Sequence, residues 1–405
     1  MSVSLPSPRR VVVLGSTGSI GTSTLDVITH LPQRLQTAGL SAHSGWEALF
    51  EQANRHRPRR VVVTDPDAAR RLDRTRLDPG IELLTGPEGV ARMVADPEVD
   101  VVLSAIVGAA GLEGTWAALD AGKTVAVANK ETLVMAGPLV MDLAARRNAA
   151  VLPVDSEHSA VFQAINTNPK RQRGDSADTL AGAAGWCVDE VERIVLTASG
   201  GPFRGKRAAE LADVTVDQAL RHPTWRMGPK ITVDSATLMN KALEVIEARW
   251  LFGLPAEKIE VIIHPESIVH SFVEFVDGSV LAQLSPPDMR LPIQYALTYP
   301  ERVPGPARKL CWRELSGLRF EQPDHETFPA IQLGYEVARR GGTCGAVLNA
   351  ANEAAVGRFL AGGLSFLDIP RACRAVLDHH NFSARPALSE LAALDRWARQ
   401  EVARW

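Results

Sequence analysis

The run from Val11 to Gly21 constrains this chain more than any other stretch. Val11, Val12, Val13 and Leu14 make an uninterrupted apolar segment, which suits a strand covered on both faces. Gly15, Gly18 and Gly21 follow at once, then a helical pattern carried by Leu25, Val27 and Ile28. A glycine turn between a parallel strand and a helix sets backbone N–H groups and the positive helix end against a phosphate. The spacing G-x-x-G-x-x-G is a variant of the dinucleotide fingerprint, and the flanking strand and helix give it its weight. The bland alternative is a tight turn with no ligand. The pattern predicts an α/β chain that opens with a Rossmann-like doubly wound parallel sheet.

Further apolar runs extend that sheet: Arg60 to Thr64, Val99 to Ile106, Thr124 to Ala128 and Ala150 to Val154. The second strand should end near Ala42, where an NAD site expects a carboxylate for the ribose. His43, Ser44 and Gly45 stand there instead. The missing carboxylate favours NADP, with His43 and Ser44 the nearest groups to the 2′-phosphate.

Composition narrows the class. A chain of 405 residues has room for two or three domains. The formal charge of −3 leaves no basic excess for nucleic acid. No apolar run approaches the roughly 20 residues of a membrane helix, and Met1 to Arg10 carries no secretory h-region. Cys187, Cys311, Cys344 and Cys373 lie far apart without metal spacing, as reduced thiols of a cytoplasmic protein would.

Strand ends deliver chemistry to the crevice of such a sheet. Asn129, Lys130 and Glu131 follow one strand; Asp155, Ser156, Glu157 and His158 follow another. Two carboxylates separated by one residue in extended chain lie ~7 Å apart on one side. With a third they hold Mg²⁺ or Mn²⁺, which prefer oxygen ligands. Acidic pairs are more often merely solvated, but here an apolar strand aims them into the crevice. Between His222 and Pro229 the chain reads as a loop, and Trp225 within it is better placed to cover a ligand than to fill a core. Ile231 to Val233 read as a short strand, Asp234 and Ser235 as caps, and Ala236 to Phe252 as a helix. On that helix Asn240, Lys241 and Glu244 share one face, and with Ser235 they suit an anionic, hydroxylated ligand; an exposed Lys–Glu pair is the alternative. Ser199, in the glycine-rich loop 198–204, offers another hydroxyl to an anion.

Glu192 to Thr197 read as a strand, and alternating patterns at Glu260 to His264, His270 to Phe275 and Val280 to Leu284 predict a mostly antiparallel open sheet that could carry a dimer interface. Residues 166–190 read as an exposed insertion. The expected division is a nucleotide-binding domain at 1–154, a central α+β catalytic and dimerisation domain at 155–298, a linker at 299–324 and a helical C-terminal domain at 325–405.

Eight motifs, taken together, resemble one family. They are G-S-T-G-S-I-G at 15–21, A-N-K-E at 128–131, V-D-S-E-H-S-A at 154–160, T-A-S-G-G-P-F-R at 197–204, H-P-T-W-R-M-G at 222–228, V-D-S-A-T-L-M-N-K-A-L-E at 233–244, H-P-E-S-I-V-H-S at 264–271 and L-N-A-A-N-E at 348–353. In this order, across nearly the whole chain, they resemble the 1-deoxy-D-xylulose 5-phosphate reductoisomerases. The resemblance implies a homodimer that uses NADPH and Mg²⁺ or Mn²⁺, with Co²⁺ a further option. It implies the rearrangement and reduction of a phosphorylated keto sugar to 2-C-methyl-D-erythritol 4-phosphate. Asp155, Glu157 and Glu244 would bind the metal. Ser199, Ser235, Asn240 and Lys241 would hold the phosphate with His222, under Trp225. Lys130 and Ser156 would meet the sugar. Thr17, Gly18, Ser19 and Ile20 would cradle the pyrophosphate, with Ser44, Asn129, Glu131 and Gly228 also on the cofactor side and Met227 near the nicotinamide. The His43-Ser44-Gly45 run and the long insertion depart from the family pattern. An aldehyde-type dehydrogenase would need a cysteine nucleophile, absent from every motif above. A non-catalytic NADP-binding protein would not need three converging carboxylates beside a tryptophan loop.

Overall fold

Seven parallel strands form the first sheet of the computed structural model, which describes residues 7–166 and 188–405. They are β1 (Arg9–Leu14), β2 (Leu35–Ala42), β3 (Arg60–Val63), β4 (Glu82–Thr85), β5 (Val101–Ser104), β6 (Thr124–Val127) and β7 (Val151–Pro153). Their order is β4-β3-β2-β1-β5-β6-β7. The chain builds outward from β1 in one direction and from β5 in the other, so the order reverses between Leu14 and its register partner Ser104. That reversal opens the crevice at the C-terminal strand ends. Val11 to Leu14 and Val61 to Val63 are fully buried, as helices on both faces require. β4 is an addition to the expected strands; its three half-exposed residues and exposed Thr85 at the sheet edge gave no continuous apolar signal.

The second sheet contains β8 (Val191–Ala198), β9 (Ile259–Ile263), β10 (Val269–Phe275) and β11 (Val280–Leu284) in the order β11-β10-β8-β9. β10 pairs antiparallel with β8 and β11, while β8 and β9 are parallel. This is the mostly antiparallel sheet the alternation predicted. Residues 300–324 contain no helix or strand, but a bridge between Ile263 and Glu321 and the Arg204–Glu321 ion pair pin them to the sheet. The expected insertion at 166–190 lies largely outside the described residues.

Four helices complete the chain: Ala330–Arg340, Cys344–Leu360, Asp368–His379 and Leu388–Arg404. Cys344–Leu360 is apolar nearly all round and sits among its neighbours. It lies hard against the Glu131–Arg147 helix: a Cβ on Gly345 would fall 2.0 Å from the Val134 carbonyl oxygen, so only glycine fits there. The C-terminal helices therefore back the nucleotide-binding part of the molecule directly.

One local expectation fails. Ile231 to Val233 are helical, within Pro229–Ala236, and the long helix begins only at Met239, running to Leu251. Three β-branched residues in a row favour a strand. Pro229 at the first helical position, preset for helix and needing no N–H partner, overrides them. Asp234 and Ser235 thus close the short helix instead of capping the long one. Between the two helices Leu238 takes a left-handed backbone, φ 60°, a strain of ~1 kcal/mol for a side chain with a Cβ. The break turns both Ser235 and the first turn of the second helix toward the same cleft.

Candidate active site

The cleft, about 640 Å³, lies where the β1–β5 crevice meets the second sheet. At the nucleotide end, Ser41 Oγ accepts from Gly15 N–H at 3.2 Å and Ser41 O from Ser16 N–H at 2.8 Å. Gln52, which the sequence did not single out, grips the same turn: Ser16 Oγ donates to its Oε1 at 2.7 Å and its Nε2 to Ser16 O at 3.0 Å. The Ser19–His30 helix then starts with no side-chain cap, leaving its first N–H groups to an anion. Ser19 and Ile20 line the cleft; Thr17, Gly18 and Ser44 lie outside its lining. No carboxylate ends β2; His43 Nδ1 is hydrogen-bonded to Thr64 Oγ1 at 3.0 Å. Asn129 is buried and donates to Thr132 Oγ1 at 2.8 Å.

At the other end three carboxylates converge. Asp155 leaves β7, Glu157 lies one residue into the Ser156–Ile165 helix, and Glu244 comes from Met239–Leu251. Each offers an oxygen within 4.8 Å of the others. Lys130 Nζ lies 3.0 Å from Asp155 Oδ2 and 3.4 Å from Glu244 Oε1, and it donates to Asn240 Oδ1. Lys241 pairs with Glu157 at 3.2 Å and with Glu244. Once all three carboxylates are ionised they outnumber the two ammonium groups, and this all-oxygen donor set fits Mg²⁺ or Mn²⁺. Burial, reinforced by Glu157 and Asp155, pushes Glu244 up to about 8 against the pull of Lys241 and Lys130. Asp155 moves the other way: burial would raise it, but Lys130, His158 and Lys241 hold it well below the carboxylate range. Burial would lower both lysines, and the carboxylates around them outweigh it and keep them charged.

Two groups behind this centre carry no role in the sequence reading. His158 Nε2 meets the Glu244 carbonyl oxygen at 3.0 Å, which accepts, so Nε2 carries the proton. Its Nδ1 faces Glu247 at 3.6 Å, and both residues are buried. The pair is legible only as the middle of V-D-S-E-H-S-A and a second glutamate one turn beyond Glu244.

The loop read as a lid borders the cleft with His222, Trp225, Met227 and Gly228. His222 Nδ1 accepts from the backbone N–H groups of Thr224 and Trp225 at 3.1 and 2.9 Å. Nε2 therefore bears the hydrogen and donates to Ser199 Oγ at 3.0 Å. Burial lowers the His222 pKa. Trp225 is half-buried, its ring 6.3 Å from that of His270. The loop backbone at Gly201 packs against the Ser235 end of the short helix because it has no side chain: a Cβ there would stand 2.7 Å from Ser235 O. His270, buried and also lining the cleft, lay in a recorded motif without an assigned role. Ser156 Oγ donates to Glu157 Oε2 at 2.7 Å.

A second hollow of about 410 Å³ sits at the opposite, N-terminal edge of the first sheet. Its Arg10, Arg59 and Arg60 are already paired with Asp96, Glu98, Asp100 and Glu82.

A Rossmann-like crevice that opens onto such a cleft defines a dinucleotide-dependent α/β oxidoreductase. Family models for 1-deoxy-D-xylulose 5-phosphate reductoisomerase match residues 11–137 and, as its C-terminal domains, 151–252 and 284–401. The chain belongs to the 1-deoxy-D-xylulose 5-phosphate reductoisomerase family. It is 52% identical to the reductoisomerase of Pelotomaculum thermopropionicum over 96% of this chain and 97% of that one. The Zymomonas mobilis enzyme, solved with NADPH, is 43% identical and superposes with a TM-score of 0.86 over 98% of each chain. A reductoisomerase solved with NADPH, fosmidomycin and magnesium is 38% identical, with a TM-score of 0.87 over 98% of each.

Proposed function

We propose that this chain converts 1-deoxy-D-xylulose 5-phosphate to 2-C-methyl-D-erythritol 4-phosphate, by skeletal rearrangement and reduction, in the non-mevalonate isoprenoid pathway. The observation that carries the proposal is the meeting of Asp155, Glu157 and Glu244, from two separate helices and a strand end, within 4.8 Å. The solved relative with NADPH, fosmidomycin and magnesium supports both cofactors. Asp155, Glu157 and Glu244 would hold Mg²⁺ or Mn²⁺, and the bound cation supplies positive charge against oxygens that turn anionic during rearrangement. Ser19 and Ile20, with Thr17 and Gly18, would hold the NADPH pyrophosphate at the uncapped helix start.

The chain's own groups would do the rest. Ser199 and Ser235, which line the same cleft, would bind the phosphate with Asn240 and Lys241. His222 already points an N–H at Ser199 Oγ, and the same N–H can turn to a phosphate oxygen. Lys130 and Ser156 would orient the sugar hydroxyls, while Trp225 and Met227 exclude water as the loop closes.

Two further readings belong here. The edge strand β11 leaves Val280 and Leu281 exposed, with Val276 beside them also exposed; we assign this apolar edge to a second copy, giving a homodimer. No helix among the described residues is long and apolar enough to cross a membrane, and we place the reaction in the cytoplasm. The test is NADPH absorbance with 1-deoxy-D-xylulose 5-phosphate, with and without Mg²⁺. Loss of absorbance only with metal is expected; metal-independent oxidation, or none, would overturn the reading.

A further inference from the structure

At the base of the lid, on the wall of the cleft, lies a polar chain of which only Glu131 has a role above, on the cofactor side. Lys230 is the second residue of Pro229–Ala236, immediately beyond the lid loop. Its Nζ lies 2.7 Å from Asp234 Oδ2, one turn along the same helix, and 3.1 Å from Glu131 Oε1 at the start of Glu131–Arg147. The other oxygen of Asp234 accepts from Asn352 Nδ2 at 2.8 Å. A carboxylate only accepts, so the amide must present its nitrogen and the contact has one orientation. Asp234, Asn352 and Glu131 are all buried. Asn352 belongs to Cys344–Leu360, and its neighbour Glu353 accepts from Ala109 N–H at 3.2 Å and pairs with Arg399 at 2.7 Å. Two consecutive residues of one helix thus fix both the base of the lid and the loop that follows β5.

We propose that the Cys344–Leu360 helix positions the lid through the series Asn352–Asp234–Lys230–Glu131. The lid helix has only eight residues, too few to hold an orientation by itself. Lys230 locks its first turn to the nucleotide-side helix, and Asn352 locks its last turn to the C-terminal helices. Both locks act on Asp234 and so work in series. Removing one partner of a buried ion pair costs stability by itself, so global stability cannot separate a positioning network from a structural one, and lid order must be read against an internal control.

The experiment uses full-length Asn352→Leu, Lys230→Met, the double variant and Lys230→Arg. Hydrogen exchange of the 222–236 amides in the free protein reads lid order without any substrate. Each of the first two substitutions should speed that exchange by about fivefold or more while β1 amides stay unchanged. The double variant should match the worse single one, since both cut the same series. Lys230→Arg should restore most of the protection. KM for the phosphosugar should rise more than KM for NADPH; this arm alone rests on the proposed reaction, so a substrate that is never turned over would sink that reading and leave the exchange result standing. If Asn352→Leu does not fold, Lys230→Met, at the cleft edge, decides the matter. Unchanged exchange in 222–236, or effects that simply add in the double variant, would overturn the proposal.

Discussion

Replacing Trp225 by alanine separates a lid from a core residue. A core tryptophan truncated to alanine costs ~3–5 kcal/mol of stability. Trp225 is half-buried and makes one edge contact, with His270 at 6.3 Å. An aromatic pair of that kind contributes ~0.5–1.5 kcal/mol. In a chain of this size that loss should lower Tm by no more than about 2 °C. Function should suffer more. One face of the indole laid on a ligand covers ~100 Å², which at ~25 cal/mol/Å² comes to ~2.5 kcal/mol. Trp225→Ala should therefore lower kcat/KM for the phosphosugar about 70-fold, 1.36 kcal/mol being a factor of ten. Calorimetric unfolding and initial-rate NADPH oxidation measure the two effects. A variant that melts about 4 °C or more early, as a core tryptophan's loss would dictate in a chain of this size, yet turns over normally when folded, would refute the lid.

Three further outcomes follow from the geometry. With no carboxylate at the end of β2, kcat/KM should favour NADPH over NADH by at least ~10²-fold, and equal values would contradict the cofactor reading. His222 is held below its ordinary 6.5, so the unfolded chain binds its proton first as pH falls. This contribution to stability is present above 6.5 and is lost below it; Tm measured from pH 7.5 to 5 should fall less steeply in His222→Gln than in wild type. Glu244, raised to about 8, must release its proton to bind a cation, so Mg²⁺ affinity should climb from pH 6 to about 8 and then level off. Calorimetry in two buffers of different ionisation enthalpy would detect that proton, and a flat affinity over this range would remove the assignment.

Much of this cleft was legible because its residues sit in short runs at strand ends. Asp155 and Glu157 followed an apolar strand, and the glycine turn followed another. The carboxylate pair could be read from one segment, but its partner Glu244 depended on recognising a whole family of motifs. The helix Pro229–Ala236 misled because Ile231, Thr232 and Val233 carry strand propensity, while the Pro229 start and the tertiary contacts of Lys230 and Asp234 settle its form. His158 and Asn352 stood inside quoted motifs and Glu247 on a predicted helix, but their roles were not legible, because each works through a partner distant in sequence. β4 was invisible for the opposite reason, being too short and too wet.

The central claim is that Asp155, Glu157 and Glu244 make one metal centre that the reaction requires. Titrating Mn²⁺ by electron paramagnetic resonance, where the free ion's signal is lost on binding, tests it most directly. Wild type should bind one ion per chain. Asp155→Asn, Glu157→Gln and Glu244→Gln should each weaken that binding by about 10²-fold or more and cut turnover about 10³-fold, with NADPH binding intact. If any one of the three held Mn²⁺ as tightly as wild type and turned over at a similar rate, the three-carboxylate centre would be wrong.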